Sequence, residues 1–280
     1  MFDIMLTGFA DEIGSRLDQQ MRVLKQLGMS WVEMRGVDGK CIVDYSVTEA
    51  AEIKKRLDAN GIALSAVGSP IGKIKITGDF APHLEFFKHT VEIAHIMGTK
   101  NIRMFSFYVP DEVTQGIHDE VLWRLGKFVE YASANDAVLL HENEKGIYGE
   151  KAKECLELMK CFYGDHFKAV FDFANFVEAR QDTMEAYQML GPYIAYIHIK
   201  DALWKDGSVV PSGYGDGHVR EILAGLQAGG YHGYLSIEPH LADFMGFSEL
   251  EQDGKLDRKL TGEEAFRLAH ASLMKILREM

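Results

Sequence analysis

The sequence of 280 residues has few cysteines, no run of four basic residues and no long apolar segment. Its three cysteines, Cys41, Cys155 and Cys161, are odd in number and form no C-x-x-C pair, as is typical of unpaired thiols in a reducing compartment. No stretch approaches the roughly 18 apolar residues of a membrane-spanning helix. The first residues also lack the basic segment of a secretory leader. These absences predict a cytoplasmic protein with no membrane partner.

Basic residues are outnumbered: 30 Lys and Arg stand against 42 Asp and Glu, for a net charge of −12. A protein that grips phosphate backbones normally carries a basic surface or stripe, so this balance predicts no nucleic-acid partner. Hydrophobic residues make up 47% of the chain, which is enough to bury a core and excludes a disordered chain.

Short β-branched or aromatic runs alternate with amphipathic segments about eight times. Predicted strands cover residues 3–9, 31–35, 63–67, 101–107, 138–142, 168–173, 195–199 and 234–238. Predicted helices cover residues 17–28, 48–61, 82–98, 116–135, 150–162, 183–190, 219–229 and 261–279. Gly28, Gly61 and Gly98 stand where helices should end.

Eight βα units in a chain of this length predict an α/β fold, a single (β/α)8 TIM barrel over residues 1–280. No linker, low-complexity tract or composition shift divides the chain into smaller domains. A doubly wound open sheet is the competing architecture. It usually carries a Gly-rich fingerprint after its first strand, and Thr7-Gly8-Phe9-Ala10 has none.

The last four predicted strands end in residues that can bind a metal: Glu142, Asp172, His198 and Glu238. In a barrel these ends meet at one face, where catalytic groups of this fold lie. Ionised side chains at the ends of apolar strands are costly unless they are paired, and three converging carboxylates would repel one another without a cation. Carboxylates with one imidazole suit Mn²⁺ best, with Mg²⁺, Co²⁺ or Zn²⁺ as alternatives. The alternative interpretation is that each acid caps a helix N-terminus.

Several motifs resemble those of the xylose isomerase-like TIM barrels, the sugar and sugar-phosphate isomerase/epimerase superfamily, over essentially the whole chain. They are Leu140-His141-Glu142-Asn143, Phe171-Asp172-Phe173-Ala174-Asn175, Ile197-His198-Ile199-Lys200-Asp201, Ser236-Ile237-Glu238-Pro239-His240 and the Gly-rich loop at residues 210–217. The resemblance implies one divalent metal held by Glu142, Asp172, His198 and Glu238. It implies further that Glu142 and Glu238 act as the acid/base pair, and that the chain forms a homodimer or homotetramer.

Elementary chemistry agrees with this implied activity, because moving a proton next to a carbonyl requires a stabilised enediolate and a positioned base. The sequence therefore predicts a metal-dependent isomerase or epimerase of a small-molecule sugar or sugar phosphate. A dehydratase acting on an inosose or dehydroshikimate would use the same groups and stays open.

Two further functions receive less support. The DNA-repair endonuclease branch of the superfamily builds a three-metal site, which needs histidines at other strand ends. Here the third and fourth strands end in Val67-Gly68-Ser69 and Phe105-Ser106-Phe107, although Asp216-Gly217-His218 resembles one of that branch's pairs. A non-catalytic sugar-binding barrel would leave the four metal-type residues without a role.

Four neighbouring residues are candidates for binding substrate. Lys200 and His240 share the inward face of His198 and Glu238, because side chains two residues apart in a strand point the same way. Glu33 ends the second strand, and its alternative role is an ion pair with Arg35 or Arg103. Asn175 stands where many relatives carry histidine, and an ion pair with a nearby acid is the alternative role of Lys200.

Overall fold

The computed structural model describes residues 2–241 and 259–280. Eight parallel strands form the central sheet, and each predicted strand is present. They are β1 (Met5–Gly8), β2 (Trp31–Met34), β3 (Ala63–Gly68), β4 (Asn101–Met104), β5 (Val138–Glu142), β6 (Phe167–Asp172), β7 (Ile194–Ile199) and β8 (Tyr234–Ile237).

The sheet runs in the order β1-β8-β7-β6-β5-β4-β3-β2, so neighbouring strands follow one another around a ring. Its two ends meet at a single parallel bridge between Phe9 and Glu33, just beyond β1 and within β2. The barrel is thus nearly closed, and the predicted α/β TIM barrel is confirmed.

Nine helices of the described residues alternate with the strands or extend their loops. They are α1 (Leu17–Gln26), α2 (Val47–Asp58), α3 (Ala81–Ile96), α4 (Gln115–Ala134), α5 (Ala152–Phe162), α6 (Phe173–Glu178), α7 (Thr183–Leu190), α8 (Val219–Ala228) and α9 (Gly262–Glu279). Gly28, Gly61 and Gly98 follow helix ends with φ of +73°, +69° and +80°. Only glycine adopts this conformation without strain, which is why the sequence marks these ends clearly.

Two segments differ from the sequence prediction. The predicted fourth strand over residues 101–107 is three residues too long, because β4 ends at Met104 and Phe107 takes a φ of +70°, outside the extended region. The short helix α6 was not predicted. It starts directly after β6, and the side chain of Asp172 caps it by accepting a hydrogen bond from the Asn175 backbone N–H at 2.8 Å.

The apolar core lies mainly between the barrel and the outer helices, where Phe87, Phe128 and Phe167 are fully buried. Polar contacts fill part of the barrel interior instead. The Ser65 hydroxyl lies 2.7 Å from the hydroxyl of Thr7 and 2.8 Å from that of Tyr196, which joins β1, β3 and β7. Within the described ranges, no helix has both the length and the apolar character needed to cross a membrane.

Candidate metal centre

The four predicted metal ligands lie together at the carboxyl ends of β5 to β8. Glu142 and Asp172 are the last residues of their strands, His198 is the penultimate residue of β7, and Glu238 directly follows β8. All four are buried, and one ligand atom from each lies within 4.8 Å of the others. Parallel register explains the convergence, because Asp172 pairs with His198 across β6 and β7.

His198 lies at the middle of this quartet. Its Nδ1 atom lies 2.9 Å from Glu142 Oε1, 3.8 Å from Glu238 Oε2 and 4.0 Å from Asp172 Oδ2. Its Nε2 atom lies 3.1 Å from Glu33 Oε2 on the opposite side of the ring. Burial would lower the pKa of His198, but Glu142 and Glu33 outweigh burial and raise it well above the ordinary value. An N–H bond at Nε2 toward Glu33 leaves Nδ1 as the atom able to bind a metal.

Asp172 uses its two carboxylate oxygens differently. Oδ1 caps α6, whereas the buried Oδ2 accepts no hydrogen bond. Lys200 Nζ lies 3.1 Å from Oδ2, close enough for an ion pair but not oriented as a hydrogen-bond donor. Burial, reinforced by Glu238 and Glu142, raises the pKa of Asp172 to about 7 in spite of Lys200. Capping and metal ligation are therefore compatible roles for Asp172, not alternatives.

The other two carboxylates remain charged in spite of their burial. His198 and Arg103 outweigh the desolvation of Glu142 and lower its pKa to about 2. Lys200 and His240 likewise hold the pKa of Glu238 well below its usual range against desolvation. The donor set consists of three carboxylates and an imidazole, and one of the carboxylate oxygens accepts no hydrogen bond. Such a donor set fits a divalent cation. The cluster could therefore bind a metal.

Two of the four predicted substrate-binding residues are buried beside the quartet. Lys200 Nζ lies 3.1 Å from both Asp172 Oδ2 and Glu238 Oε2, so the ion-pair alternative describes its contacts in this structure. The Asn175 amide donates hydrogen bonds to Glu142 Oε1 at 3.3 Å and to the Asn143 carbonyl at 2.9 Å. Both side chains also line the cavity above the quartet.

The other two lie on opposite sides of the quartet. Glu33 is fully buried beneath it, where it contacts His198 and accepts a 2.6 Å hydrogen bond from the Ser236 hydroxyl. These contacts take the place of the alternative ion pair with Arg35 or Arg103, and Glu33 lies directly below His198. His240 lies at the rim, with its ring 3.2 Å from Glu12 and 3.3 Å from Glu238.

A cavity of about 290 Å³ opens above the quartet. Four larger depressions, of about 300, 390, 700 and 870 Å³, lie elsewhere on the surface, and the quartet lines none of them. We place the candidate functional site at the 290 Å³ cavity because the four metal-type residues lie beneath it. Four cationic side chains line it: Arg35, Lys73, Arg103 and Lys200.

Sequence reasoning did not identify Arg35 and Arg103 as site residues. Arg35 donates to Asp11, Glu12 and Glu238 at 2.8, 3.2 and 3.3 Å. Arg103 lies in the interior of β4, with Nε 3.4 Å from Glu142 Oε2. The available signal was an arginine at the centre of an otherwise apolar buried strand, a position at which a charge requires a partner.

Outside the quartet, the described residues contain one other group with metal-ligand spacing, formed by Glu12, Glu238 and His240. Arg35 already supplies positive charge to both of its carboxylates. Asp216 and His218 belong to neither group. Asp216 accepts a hydrogen bond from the Trp204 backbone N–H, and the His218 ring lies 3.0 Å from the Thr183 hydroxyl.

Solved structures of low sequence identity share this fold. A probable 3-DHS dehydratase, AsbF, involved in petrobactin synthesis from Bacillus anthracis, is 16% identical with a TM-score of 0.73, covering 99% of this chain and 98% of that one. An L-ribulose 3-epimerase is 18% identical with a TM-score of 0.71 over 100% and 97% of the two chains. The IOLI protein with a bound zinc atom is 17% identical with a TM-score of 0.74 over 99% of each chain. No curated protein matches the sequence.

The family described as xylose isomerase-like TIM barrel matches residues 21–262. The chain belongs to this family, and the resemblance carried by the strand-end motifs is confirmed.

Proposed function

We propose that this protein is a divalent-metal-dependent sugar isomerase or epimerase that moves a proton next to a carbonyl through an enediolate. The observation that carries the proposal is the buried quartet, in which two charged glutamates flank a ligand-type histidine and Asp172 Oδ2 accepts no hydrogen bond. Structural neighbours that include sugar epimerases support an enzyme of this general kind.

The proposed metal ligands are Glu142, Asp172, His198 and Glu238, with Mn²⁺ as the proposed ion and Mg²⁺, Co²⁺ or Zn²⁺ as alternatives. When bound, such an ion acts as a Lewis acid on the substrate carbonyl and its adjacent hydroxyl. Glu33 supports the site from below by holding Nε2 of His198, which fixes the orientation of the ring.

Glu142 and Glu238 are the proposed acid/base pair. They come from β5 and β8, which β6 and β7 separate around the barrel, so they can address different faces of a substrate in the cavity. Because both pKa values are low, either glutamate can accept a proton from an acidified C–H bond at neutral pH. The opposite glutamate returns a proton that it has taken up from water, which is how solvent deuterium would enter the product. Lys200, Asn175 and His240 are proposed to bind substrate oxygens around the reacting carbons.

A dehydratase is the second candidate, and His240 is the residue that favours it. Glu238 raises the pKa of the His240 ring against its burial, which shifts this ring at the rim of the cavity toward its protonated form relative to a free histidine. A protonated donor beside the base could release a β-hydroxyl as water after the same C–H bond is broken. The AsbF neighbour is a probable dehydratase, which shows that the fold accommodates both kinds of protein.

The proposed substrate is a small-molecule sugar or sugar phosphate, and the proposed location is the cytoplasm. We propose that the chain assembles into a homodimer or homotetramer. Sedimentation equilibrium measures the oligomeric state, and a monomer at micromolar concentration would contradict this assembly.

We propose that the protein has no nucleic-acid partner. Incision of abasic-site DNA by the Mn²⁺-loaded protein would promote the endonuclease interpretation instead.

The deciding experiment incubates the Mn²⁺-loaded protein with a ketose panel in deuterated water. Epimerisation should introduce deuterium at the inverted carbon, whereas a dehydratase should generate a new unsaturated or keto product. Glu142→Gln and Glu238→Gln should each lower the rate by about 10²-fold or more, the scale of a positioned acid or base. Glu144→Gln is the matched control, because this carboxylate pairs with Lys73 at 2.8 Å outside the quartet. Turnover without solvent deuterium in the product would contradict the two-glutamate mechanism.

A further inference from the structure

Arg103 is a buried arginine whose donors are not used. Its side chain is only 7% exposed, and its Nε atom faces Glu142 at 3.4 Å without forming a hydrogen bond. Within the part of the chain that the structure describes, none of its guanidinium N–H groups donates a hydrogen bond to protein. A buried charge with unsatisfied donors is costly, so such a position indicates that another group completes it.

The other cations at the cavity are engaged by protein. Arg35 donates to three carboxylates, and Lys73 donates to Glu144 at 2.8 Å. Lys200 donates to Glu238 at 3.1 Å. Among Arg35, Lys73, Arg103 and Lys200, Arg103 is therefore the one that donates no hydrogen bond to a protein group in the described ranges.

The surroundings of Arg103 hold its guanidinium in one orientation. The guanidinium carbon lies 5.3 Å from the centroid of the Phe9 ring and 4.6 Å from that of Phe105. The Ser69 hydroxyl donates a 2.6 Å hydrogen bond to the Arg103 backbone carbonyl. Contact with aromatic rings uses the faces of a guanidinium and leaves its N–H edge for a ligand, the geometry in which arginine binds a carboxylate through two parallel hydrogen bonds.

We propose that the substrate carries a carboxylate, and that Arg103 binds this group while the quartet addresses the neighbouring carbonyl. This inference rests on the proposed function and names its substrate class. Arg103 lies directly beside Glu142, so the carboxylate stands within a few bonds of the reacting carbon. The two parallel N–H donors of a guanidinium match the two oxygens of a planar carboxylate.

Three matched ligands test this assignment: D-fructose, its C1-carboxylate analogue 2-keto-D-gluconate, and D-fructose 1-phosphate. Calorimetric titration of the Mn²⁺-loaded protein should show the tightest binding for 2-keto-D-gluconate. Arg103→Gln should weaken that binding by about 10- to 100-fold, the scale of charge-assisted hydrogen bonds, and leave D-fructose within about 2-fold. Arg103→Lys should recover part of the preference, because it keeps the charge but not the paired donors.

The double variant Lys73→Gln/Glu144→Gln is the matched control, since it removes one ion pair from the same cavity without changing net charge. It should leave the ratio of the 2-keto-D-gluconate and D-fructose affinities unchanged. Equal losses for both ligands in Arg103→Gln would show a merely structural arginine and overturn the inference. An Arg103-dependent preference for D-fructose 1-phosphate would overturn the carboxylate assignment. Metal content and deuterium uptake of the wild-type protein test the proposed function separately.

Discussion

The two halves of the barrel contribute opposite chemistry to one cavity. Strands β5 to β8 end in the quartet of three carboxylates and His198. Strands β1 to β4 and the residues that follow them place Arg35 and Arg103 there, with the buried rings of Phe9 and Phe105 beside the guanidinium groups. Under the proposed function, the second half would hold the metal and move the proton, and the first half would orient the rest of the substrate.

The halves are not independent, because support crosses between them. Glu33 of β2 holds His198 from below, and Arg103 of β4 lies against Glu142. Arg35 reaches Glu238 across the β1–β2 seam of the sheet. Substitutions in each half therefore separate residues that form the site from residues that support it.

The largest effect on stability is expected from Lys200→Met. This variant leaves the Asp172 and Glu238 carboxylates without their shared cation inside the protein. Breaking a buried ion pair from one side costs about 3–5 kcal/mol, so metal-free Lys200→Met should lose that much in urea unfolding. Adding Mn²⁺ should restore most of it. Lys73→Met, at a more exposed pair in the first half, should stay within about 1 kcal/mol. Equal losses of unfolding free energy in Lys200→Met and Lys73→Met would contradict the expectation that the buried ion pairs matter more for stability than the exposed one.

The next largest effect concerns metal content. Asp172→Ala removes one of the four proposed metal ligands. One ligand contributes about 3 kcal/mol of a typical metal-binding free energy, so the affinity for the metal should fall by about a hundredfold. Dialysed wild-type protein should hold about one ion per chain by plasma emission spectrometry, and this variant close to none. Glu12→Gln tests the second ligand-type group and should keep full occupancy. Loss of the ion in Glu12→Gln but not in Asp172→Ala would place the metal site instead at the group formed by Glu12, Glu238 and His240.

A smaller effect is expected where the first half supports the second. Glu33→Gln weakens the hold on His198 Nε2, and outer partners of this kind typically contribute 10- to 100-fold in metal affinity. Competition with a fluorescent chelator should show this loss of metal affinity, while the four quartet residues remain in place. Ser236→Ala removes only the hydroxyl that donates to Glu33 and should cost less. Wild-type affinity in Glu33→Gln would show that His198 needs no support.

The smallest effect lies wholly in the first half, at His83 of α3. Its Nε2 accepts a 2.8 Å hydrogen bond from the Gly72 N–H, and burial, with Arg124, lowers its pKa to about 4. Because the pKa of His83 is lower in the folded protein than in the unfolded chain, the neutral ring stabilises the fold above about pH 6.5. This stabilisation is lost as the pH falls toward 4. The half-buried position limits it to about 1 kcal/mol. His83→Gln, which cannot titrate, should flatten this part of the stability curve, and identical pH profiles would exclude the effect.

The sequence was sufficient to predict the barrel and the quartet for one geometric reason. Strand ends of a parallel barrel meet at one face, so the residue types at those ends already define a site. Glu142, Asp172, His198 and Glu238 could therefore be predicted together, although their strands lie far apart in the chain.

The support of the site could not be predicted in this way. Alternation places Glu33 and Arg103 inside the barrel but does not say which side chain across the barrel each one meets. The contact of Glu33 with His198 and the approach of Arg103 to the Phe9 ring depend on strand register and on the shape of the closed ring. The chain after β4 likewise takes a positive φ at Phe107, which no residue type there requires.

The ammonium of Lys200 has a consequence for the life of the chain in the cell. Because a built-in cation already faces Asp172 and Glu238, the newly made polypeptide can close its barrel before any ion arrives. Under the proposed metal dependence, folding and metal loading are then separate events, and scarcity of the ion would lower the active fraction of the protein rather than prevent its folding.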